Sequence, residues 1–260
     1  MIRLDKNDFE QIYRLYLKTK FFFPLIASVL LDEQDGLVYV NNLSSPSQIY
    51  VEHSFGFSQI FGKFDEQFEQ ELERYLLLDK SFNADKIRLY APYPPDFIVK
   101  PHYKSLTSFR QRLVLGSESP FDELPLEQSD KKIIVSGVNL ANISIVENQF
   151  ALVSRFWRNS IDFIEKSNAV VVYYDGEVAS ICYAAAQANN CVEIDVLTLP
   201  KYRDLGLAKK TVLCFINNCF ELGLRPLWDC FINNPGSMML SKSVGFNAFN
   251  DPYPFFTINK

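Results

Sequence analysis

The residues whose order can do chemistry occupy positions 193–208: Glu193-Ile-Asp195-Val196-Leu197-Thr198-Leu199-Pro200-Lys-Tyr202-Arg203-Asp204-Leu205-Gly206-Leu207-Ala208. A strand ends at Pro200, a tight turn follows, and a helix begins at about Gly206. Its apolar residues Leu205, Ala208, Val212, Phe215 and Cys219 recur every three or four positions. Gly223 and then Pro226 stop that helix. A strand that turns tightly into a helix gathers unpaired N–H groups and the positive end of a helix dipole at one point, which suits a phosphate. Gly206 has no Cβ to hold a phosphate off the backbone, and Arg203 adds a charge-assisted contact. On the strand, alternation puts Glu193, Asp195 and Leu197 on one face and Ile194, Val196 and Thr198 on the other.

Other chemistries lack their residues. The ten glycines are scattered singly, so neither a dinucleotide fingerprint nor a P-loop can form. The nearest miss, Gly56-Phe-Ser-Gln-Ile-Phe-Gly62-Lys63-Phe64, is one residue too long and puts Phe64 where a metal-binding hydroxyl belongs. The two histidines, His53 and His102, have no sequence-local partner; no metal is expected, and both read as structural. Cys182, Cys191, Cys214, Cys219 and Cys230 are odd in number and hold no C-x-x-C pair, so they read as core packing in a reducing cytoplasm. With 26 Lys and Arg against 31 Asp and Glu, a net charge of -5 argues against nucleic acid as a partner. Residues 1–8 mix acidic and basic side chains, so no signal peptide is expected. The apolar residues 21–31 contain Pro24 and are too few to span a bilayer, so no membrane is expected, and the run reads as a buried strand.

The elements around this segment follow from periodicity. A helix over 5–18 precedes a hairpin of strands 25–31 and 37–40 about Asp35-Gly36, then a strand Gln48–His53. An acidic helix over 65–78 carries Phe64, Phe68, Leu72 and Tyr75 at helical spacing. Strands at 86–91, ending in Pro92-Tyr-Pro-Pro95, and at 110–115 complete the first half. Residues 116–132 turn polar and acidic, which places a boundary between an N-terminal α/β domain, 1–128, and a C-terminal domain, 129–260. The second domain reads as a helix over 150–166, strands 169–174 and 177–186 about the Asp175-Gly176 turn, a strand Cys191–Thr198, the Gly206 helix, a strand 227–232, a short helix and a last strand 255–258.

In that context the chain resembles the GNAT acetyltransferase superfamily, whose motif (Arg/Gln)-x-x-Gly-x-(Gly/Ala) follows a strand and opens a helix that binds the pyrophosphate of acetyl-CoA. Arg203, Gly206 and Ala208 match it as they stand. Trp228-Asp229-Cys230, Asn234-x-x-Ser237-x-x-Leu240 and Val244-Gly245-Phe246 look like the family's next strand and its Asn-led helix ending in Gly-Phe. Pro24-Leu-Ile-Ala-Ser-Val-Leu, Gly36-Leu-Val-Tyr-Val and Phe156-Trp157-x-x-Ser160-x-x-Phe163 are similar to blocks of a subgroup with an added N-terminal α/β domain.

The resemblance implies an α/β protein of mixed sheets, with a C-terminal GNAT acyl-CoA N-acyltransferase fold and an N-terminal domain that is itself a GNAT-like candidate. It implies acetyl-CoA as cosubstrate and a small-molecule amine as acceptor, and it leaves a homodimer open. By resemblance the pantetheine arm lies between two splayed strands and pairs with Val196, Leu197 and Thr198, while the Leu197 N–H faces the thioester carbonyl. The pyrophosphate falls to Arg203, Asp204, Leu205, Gly206, Leu207 and Ala208, with Asn234 and Ser237 also at the cofactor, although Asn234 could instead cap its helix. A neutral amine needs a general base: Glu193 through water first and Asp195 second, unless these two merely pair with a Lys or Arg, and Asp229 third, unless the Trp228-Asp229 pair is ordinary packing with a hydrogen-bonded carboxylate. Many members place a tyrosine after the leucine of the Asn helix to protonate the leaving sulfur; here the residue is Ser241. A thiolate of pKa about 8.5 leaves without much help at neutral pH, and water or Cys230 could serve instead. A catalytically silent CoA-binding sensor or interaction module is the second reading.

Overall fold

The computed structural model describes residues 1–116 and 132–260. Contacts divide the chain into unit 1, Met1–Arg110 with Pro252–Lys260, and unit 2, Gln111–Asp251. The boundary expected at 128/129 lies outside the described residues.

Unit 1 is a mixed sheet with helices on it. Its strands are β1 (Ile2–Arg3), β2 (Gly36–Val40), β3 (Gln48–His53), β4 (Phe57–Gly62), β5 (Lys86–Tyr90) and the start of β6 (Thr107–Leu115). Strands β1 to β4 pair antiparallel in order, and β4 pairs parallel to β5. The last strand of the chain, Tyr253–Asn259, runs antiparallel to both β5 and β6, which is why residues 252–260 count with unit 1. A 3₁₀ turn, Lys6–Asp8, leads into helix α1 (Phe9–Tyr16).

The apolar run at 24–30 is helix α2 (Pro24–Leu30), not the expected strand. Every residue of it is buried, so no polar face gives a helical period to read, while Pro24 supplies the preset φ of a first helical turn. The expected hairpin is therefore a helix packed on β2 and β3. Gly36 makes that fit, because a Cβ there would run into the Glu52 carbonyl and Val29. The stretch that failed as a P-loop is β4; its flanking glycines, Gly56 and Gly62, take positive φ, and a Cβ on either would strike a neighbouring carbonyl. Helix α3 (Glu66–Glu73) starts at an Asp65 cap and ends in a π turn, Arg74–Leu78. Phe64, expected on its apolar face, lies outside the helix and is exposed.

In unit 2 the strands β7 (Ile133–Gly137), β8 (Val170–Tyr174), β9 (Glu177–Ala188) and β10 (Cys191–Thr198) pair antiparallel in order. Strand β11 (Arg225–Phe231) is parallel to β10, and β12 (Phe246–Ala248) pairs with the end of β6. The Asp175-Gly176 turn has positive φ at both residues, as a tight hairpin demands. Helix α4 (Ile143–Phe150) precedes the stretch 150–166, where the single helix expected is two: α5 (Val153–Phe156) and α6 (Ser160–Lys166). Ala151 turns left-handed and ends α4, and Asn159 opens α6 by accepting from the N–H groups of Ile161 and Asp162. Helix α7 (Leu207–Glu221) lays Val212, Phe215, Ile216 and Cys219 on Val170, Cys182, Ala184 and Val192 of the sheet, and helix α8 (Pro235–Ser243) follows β11. Leu205, read as part of the α7 face, precedes the helix and is exposed.

Candidate active site

Strand β10 follows Asn189 and Asn190, both at positive φ, a turn that asparagine tolerates better than most residues. Its register with β9 pairs Glu193 with Ala186, Ile194 with Ala184, Asp195 with Tyr183 and Thr198 with Ser180; the extra residue, Ala185, is a bulge on β9. The alternation of β10 is therefore unbroken. Leu199 N–H donates to Ala179 C=O at 2.9 Å, and Ser180 Oγ donates to Leu197 C=O at 3.1 Å, so odd-numbered residues turn their backbone groups toward β9. At the other end Asn190 C=O accepts from Arg225 N–H at 2.7 Å, which turns even-numbered residues toward β11.

The ladder to β11 covers only Cys191–Glu193 against Arg225–Leu227, although both strands continue beyond it. Past Leu227 the two strands part, and the polar backbone groups of Val196 and Thr198 face the opening. This corrects the expectation for Leu197. Its N–H belongs to the β9 side, so the donors available in the gap are those of Val196 and Thr198.

Side chains follow the same alternation. Ile194 and Val196 join the core beneath α7, while Glu193 and Asp195 share the opposite face. Glu193 is 4% exposed. Asp195 accepts the Tyr183 hydroxyl at 2.5 Å, and Tyr183 is packed by Phe163 at 5.6 Å. Burial, and then the Asp195 charge, push the Tyr183 phenol well above its usual range, so it is a proton donor in that bond. Asp229, the third candidate, is in a buried ion pair: Arg112 Nε meets its Oδ2 at 2.9 Å. The ordinary alternative foreseen for that carboxylate is what the fold contains.

Downstream of β10, a 3₁₀ turn over Pro200–Tyr202 carries the chain to Arg203, Asp204 and Leu205, all exposed. Asp204 at φ 63 and Gly206 at φ 73 then reverse it into α7. No side chain caps α7, and a Cβ at Gly206 would meet open space, so the first N–H groups, from Leu207 and Ala208 on, stand clear at the mouth of the turn. The turn is anchored from below. Tyr202 packs against Leu207, and both its hydroxyl and the Lys201 ammonium donate to Glu177 Oε2 at the start of β9. Those two donors hold the Glu177 carboxyl below its usual range. The sequence did not single out Glu177; its only signal was its place just after the Asp175-Gly176 turn.

Asn234 Oδ1 accepts from Ser237 N–H at 3.1 Å and caps α8, the ligand-free role foreseen for it. The Ser237 hydroxyl accepts from Trp228 Nε1 at 3.0 Å, tying α8 to β11. Ser241 is buried and its hydroxyl donates to Met238 C=O at 3.0 Å. Cys230 is buried beside Met238, with 3.3 Å between the sulfurs. Both are engaged in packing.

A profile of the GNAT acetyltransferase family matches residues 17–256. The uncharacterized N-acetyltransferase YdfB of Bacillus subtilis (strain 168) is 26% identical over 243 residues, which cover 90% of this chain and 92% of that protein. Among solved structures, a GCN5-related N-acetyltransferase-like protein from Streptococcus suis 89/1591 has a TM-score of 0.71 at 18% identity, over 98% of this chain and 99% of that one. A tandem GNAT protein from the clavulanic acid biosynthesis pathway has a TM-score of 0.65 at 11% identity, over 99% and 97%. At such identities the two structural likenesses speak for the fold.

Proposed function

The chain belongs to the GNAT acetyltransferase family, and from that premise we propose that unit 2 transfers an acetyl group from acetyl-CoA to the amine of a small molecule. The observation that carries the reading is the parting of β10 from β11, which frees the Val196 and Thr198 backbone groups on the strand that leads into the open helix start at Gly206. An extended amide arm can pair with such a strand as a further strand would, and its phosphates fit an uncapped helix N-terminus.

In this reading the N–H groups of Leu207 and Ala208 take the pyrophosphate and Arg203 adds its charge, while Asp204 and Leu205 shape the turn. Val196 and Thr198 hold the arm through their backbone. The Val196 N–H donates to the thioester carbonyl oxygen as negative charge gathers there. Glu193 accepts the proton of the incoming ammonium, through water, so that the amine attacks uncharged. With Ser241 and Cys230 both packed away, the sulfur leaves as thiolate, which its acidity allows near neutral pH, and the second proton of the attacking nitrogen passes to water. The chemistry needs no metal from this chain, and five free cysteines suit a cytoplasmic setting.

The buried Ser241 also favours a second reading, a protein that binds CoA without turnover. Two measurements separate them. Calorimetry on the full chain is expected to show acetyl-CoA binding that Gly206→Glu abolishes; binding that survives that change would remove the pyrophosphate assignment. Release of free CoA thiol, followed across a panel of small amines, is expected for at least one acceptor; binding with no release from any of them supports the silent reading.

A further inference from the structure

We propose that unit 1 has a binding site of its own for a small organic amine in its cationic form, in a cavity lined by Glu69 and a set of aromatic rings. The cavity measures about 530 Å³, within the range of small-molecule sites, and every residue of its lining belongs to unit 1. Phe21, Phe61, Phe64 and Tyr93 supply rings to it. Phe64 and Tyr93 are each 62% exposed, and Phe21 meets Tyr93 edge-on at 5.9 Å. Large rings left open to water on the lining of one cavity are what an occupant would cover.

The rings sit on stiff supports. Tyr93 lies within Pro92-Tyr93-Pro94-Pro95, where three prolines fix φ. Phe64 directly precedes Asp65, whose carboxylate caps α3 by accepting from Phe68 N–H at 2.9 Å. A backbone already held in place loses little freedom when a ligand arrives.

Glu69 supplies the charge. It is 9% exposed, and Gln48 Nε2 donates to its Oε1 at 2.8 Å. The Gln48 carbonyl oxygen is taken by Asp65 N–H at 2.7 Å, so the amide cannot turn and its donor stays on Glu69. Among the described residues no ammonium or guanidinium pairs with Glu69. Burial raises its carboxyl pKa, and Asp96, also on the lining, acts in the same direction. The lining's one cationic side chain is Lys20, which is exposed. Two carboxylates against one ammonium leave the cavity short of positive charge. An ammonium or methylated ammonium meets both demands at once, ion pairing with Glu69 and contact with the negative faces of the rings. An anion would be repelled by Glu69 and Asp96, and a neutral apolar guest would bury the carboxylate further without a partner.

Titration calorimetry of the full chain with choline and with propylamine tests this, with acetate and glycerol as controls. Both amines are expected to bind and both controls to fail. Glu69→Gln keeps an acceptor for Gln48 and is expected to weaken binding by about tenfold or more. Tyr93→Ala and Phe64→Ala should each weaken choline binding several-fold with an unchanged melting temperature, because the rings they remove are exposed. Choline, whose quaternary nitrogen has no N–H to acetylate, should bind the Gly206→Glu variant as it binds the parent, so this site stands or falls separately from acetyl transfer. The proposal is overturned if neither amine binds up to ~50 mM, or if binding ignores both Glu69→Gln and Tyr93→Ala in variants shown by circular dichroism to be folded.

Discussion

Tyr183 reaches across the β9–β10 ladder and donates its hydroxyl to the Asp195 carboxylate at 2.5 Å. Asp195 is engaged with a buried phenol that keeps its proton, so its work is to position β10 against β9. In the proposed transfer the proton acceptor is Glu193, on the same face of β10. Glu193→Gln is expected to lower kcat by about 10²- to 10⁴-fold, whereas Asp195→Asn should leave it within several-fold. Tyr183→Phe removes a hydrogen bond to a charged group and should cost about 1.5–3 kcal/mol in urea unfolding. A loss of turnover in Asp195→Asn with Glu193→Gln active would exchange the two roles.

The parity of β10 makes a prediction that the two neighbouring amides can separate. Val196→Pro deletes an N–H that faces the gap, so the ladder to β9 survives and the chain should fold. Its kcat should drop by about 10²–10³, the usual loss of one oxyanion donor. Leu197→Pro deletes a donor on the β9 side and should reduce secondary structure and melting temperature together. Circular dichroism with CoA-release rates reads both. The reverse pattern would return the donor role to Leu197.

Glu177 offers a quieter handle on the same site. Its carboxylate holds Lys201 and Tyr202, the residues just before Arg203, from outside the motif. Glu177→Gln frees the turn without touching any group proposed to bind phosphate. Acetyl-CoA affinity should fall roughly two- to fivefold, the scale of an exposed ion pair, with kcat at saturation unchanged. An unchanged affinity by calorimetry would mean that Tyr202 packing alone fixes the turn.

The turn into α7 and β10 were legible because their signals are local. A proline, a glycine with positive φ and a helical apolar face each act within a few residues, and Cys191–Thr198 and the start of α7 fall where they were expected. The role of Leu197 was not legible in the same way. Which N–H faces a gap depends on register with β9, a long-range property, and the motif gives the neighbourhood without the parity. Helix α2 failed for another reason: a run buried on all sides carries no period, and its type is decided by what packs around it. The cavity at Glu69 is assembled from separate stretches of unit 1 that share no pattern, so no reading of spacing could have found it.

Asp229 tests whether a buried carboxylate on β11 is structural. Its partner Arg112 is also buried, so truncating one member leaves a charge without compensation in a low-dielectric setting. Asp229→Ala should destabilise the chain by about 3–5 kcal/mol, while any protein that folds should keep the pH dependence of kcat/KM. A shifted pH profile at unchanged stability would restore Asp229 as a proton acceptor.

Glu52 on β3 makes the stability of the chain depend on pH in the less common direction. It is buried, it accepts the hydroxyls of Tyr50 at 3.0 Å and Tyr75 at 3.1 Å on the same oxygen, and burial raises its pKa from 4.5 to about 6. Between those two values the folded chain holds a proton that the unfolded chain has released. Fewer protons bound in the unfolded state mean that stability falls as pH rises. The contribution is fully present below pH 4.5 and lost above about 6, a difference of about 2 kcal/mol for this one group. Glu52→Gln keeps one carbonyl oxygen for both hydroxyls and removes the charge. Urea unfolding should therefore show the variant more stable than the parent by about that amount at pH 7 and level with it at pH 4. Equal differences at the two pH values would mean that Glu52 ionises alike in the folded and unfolded chains.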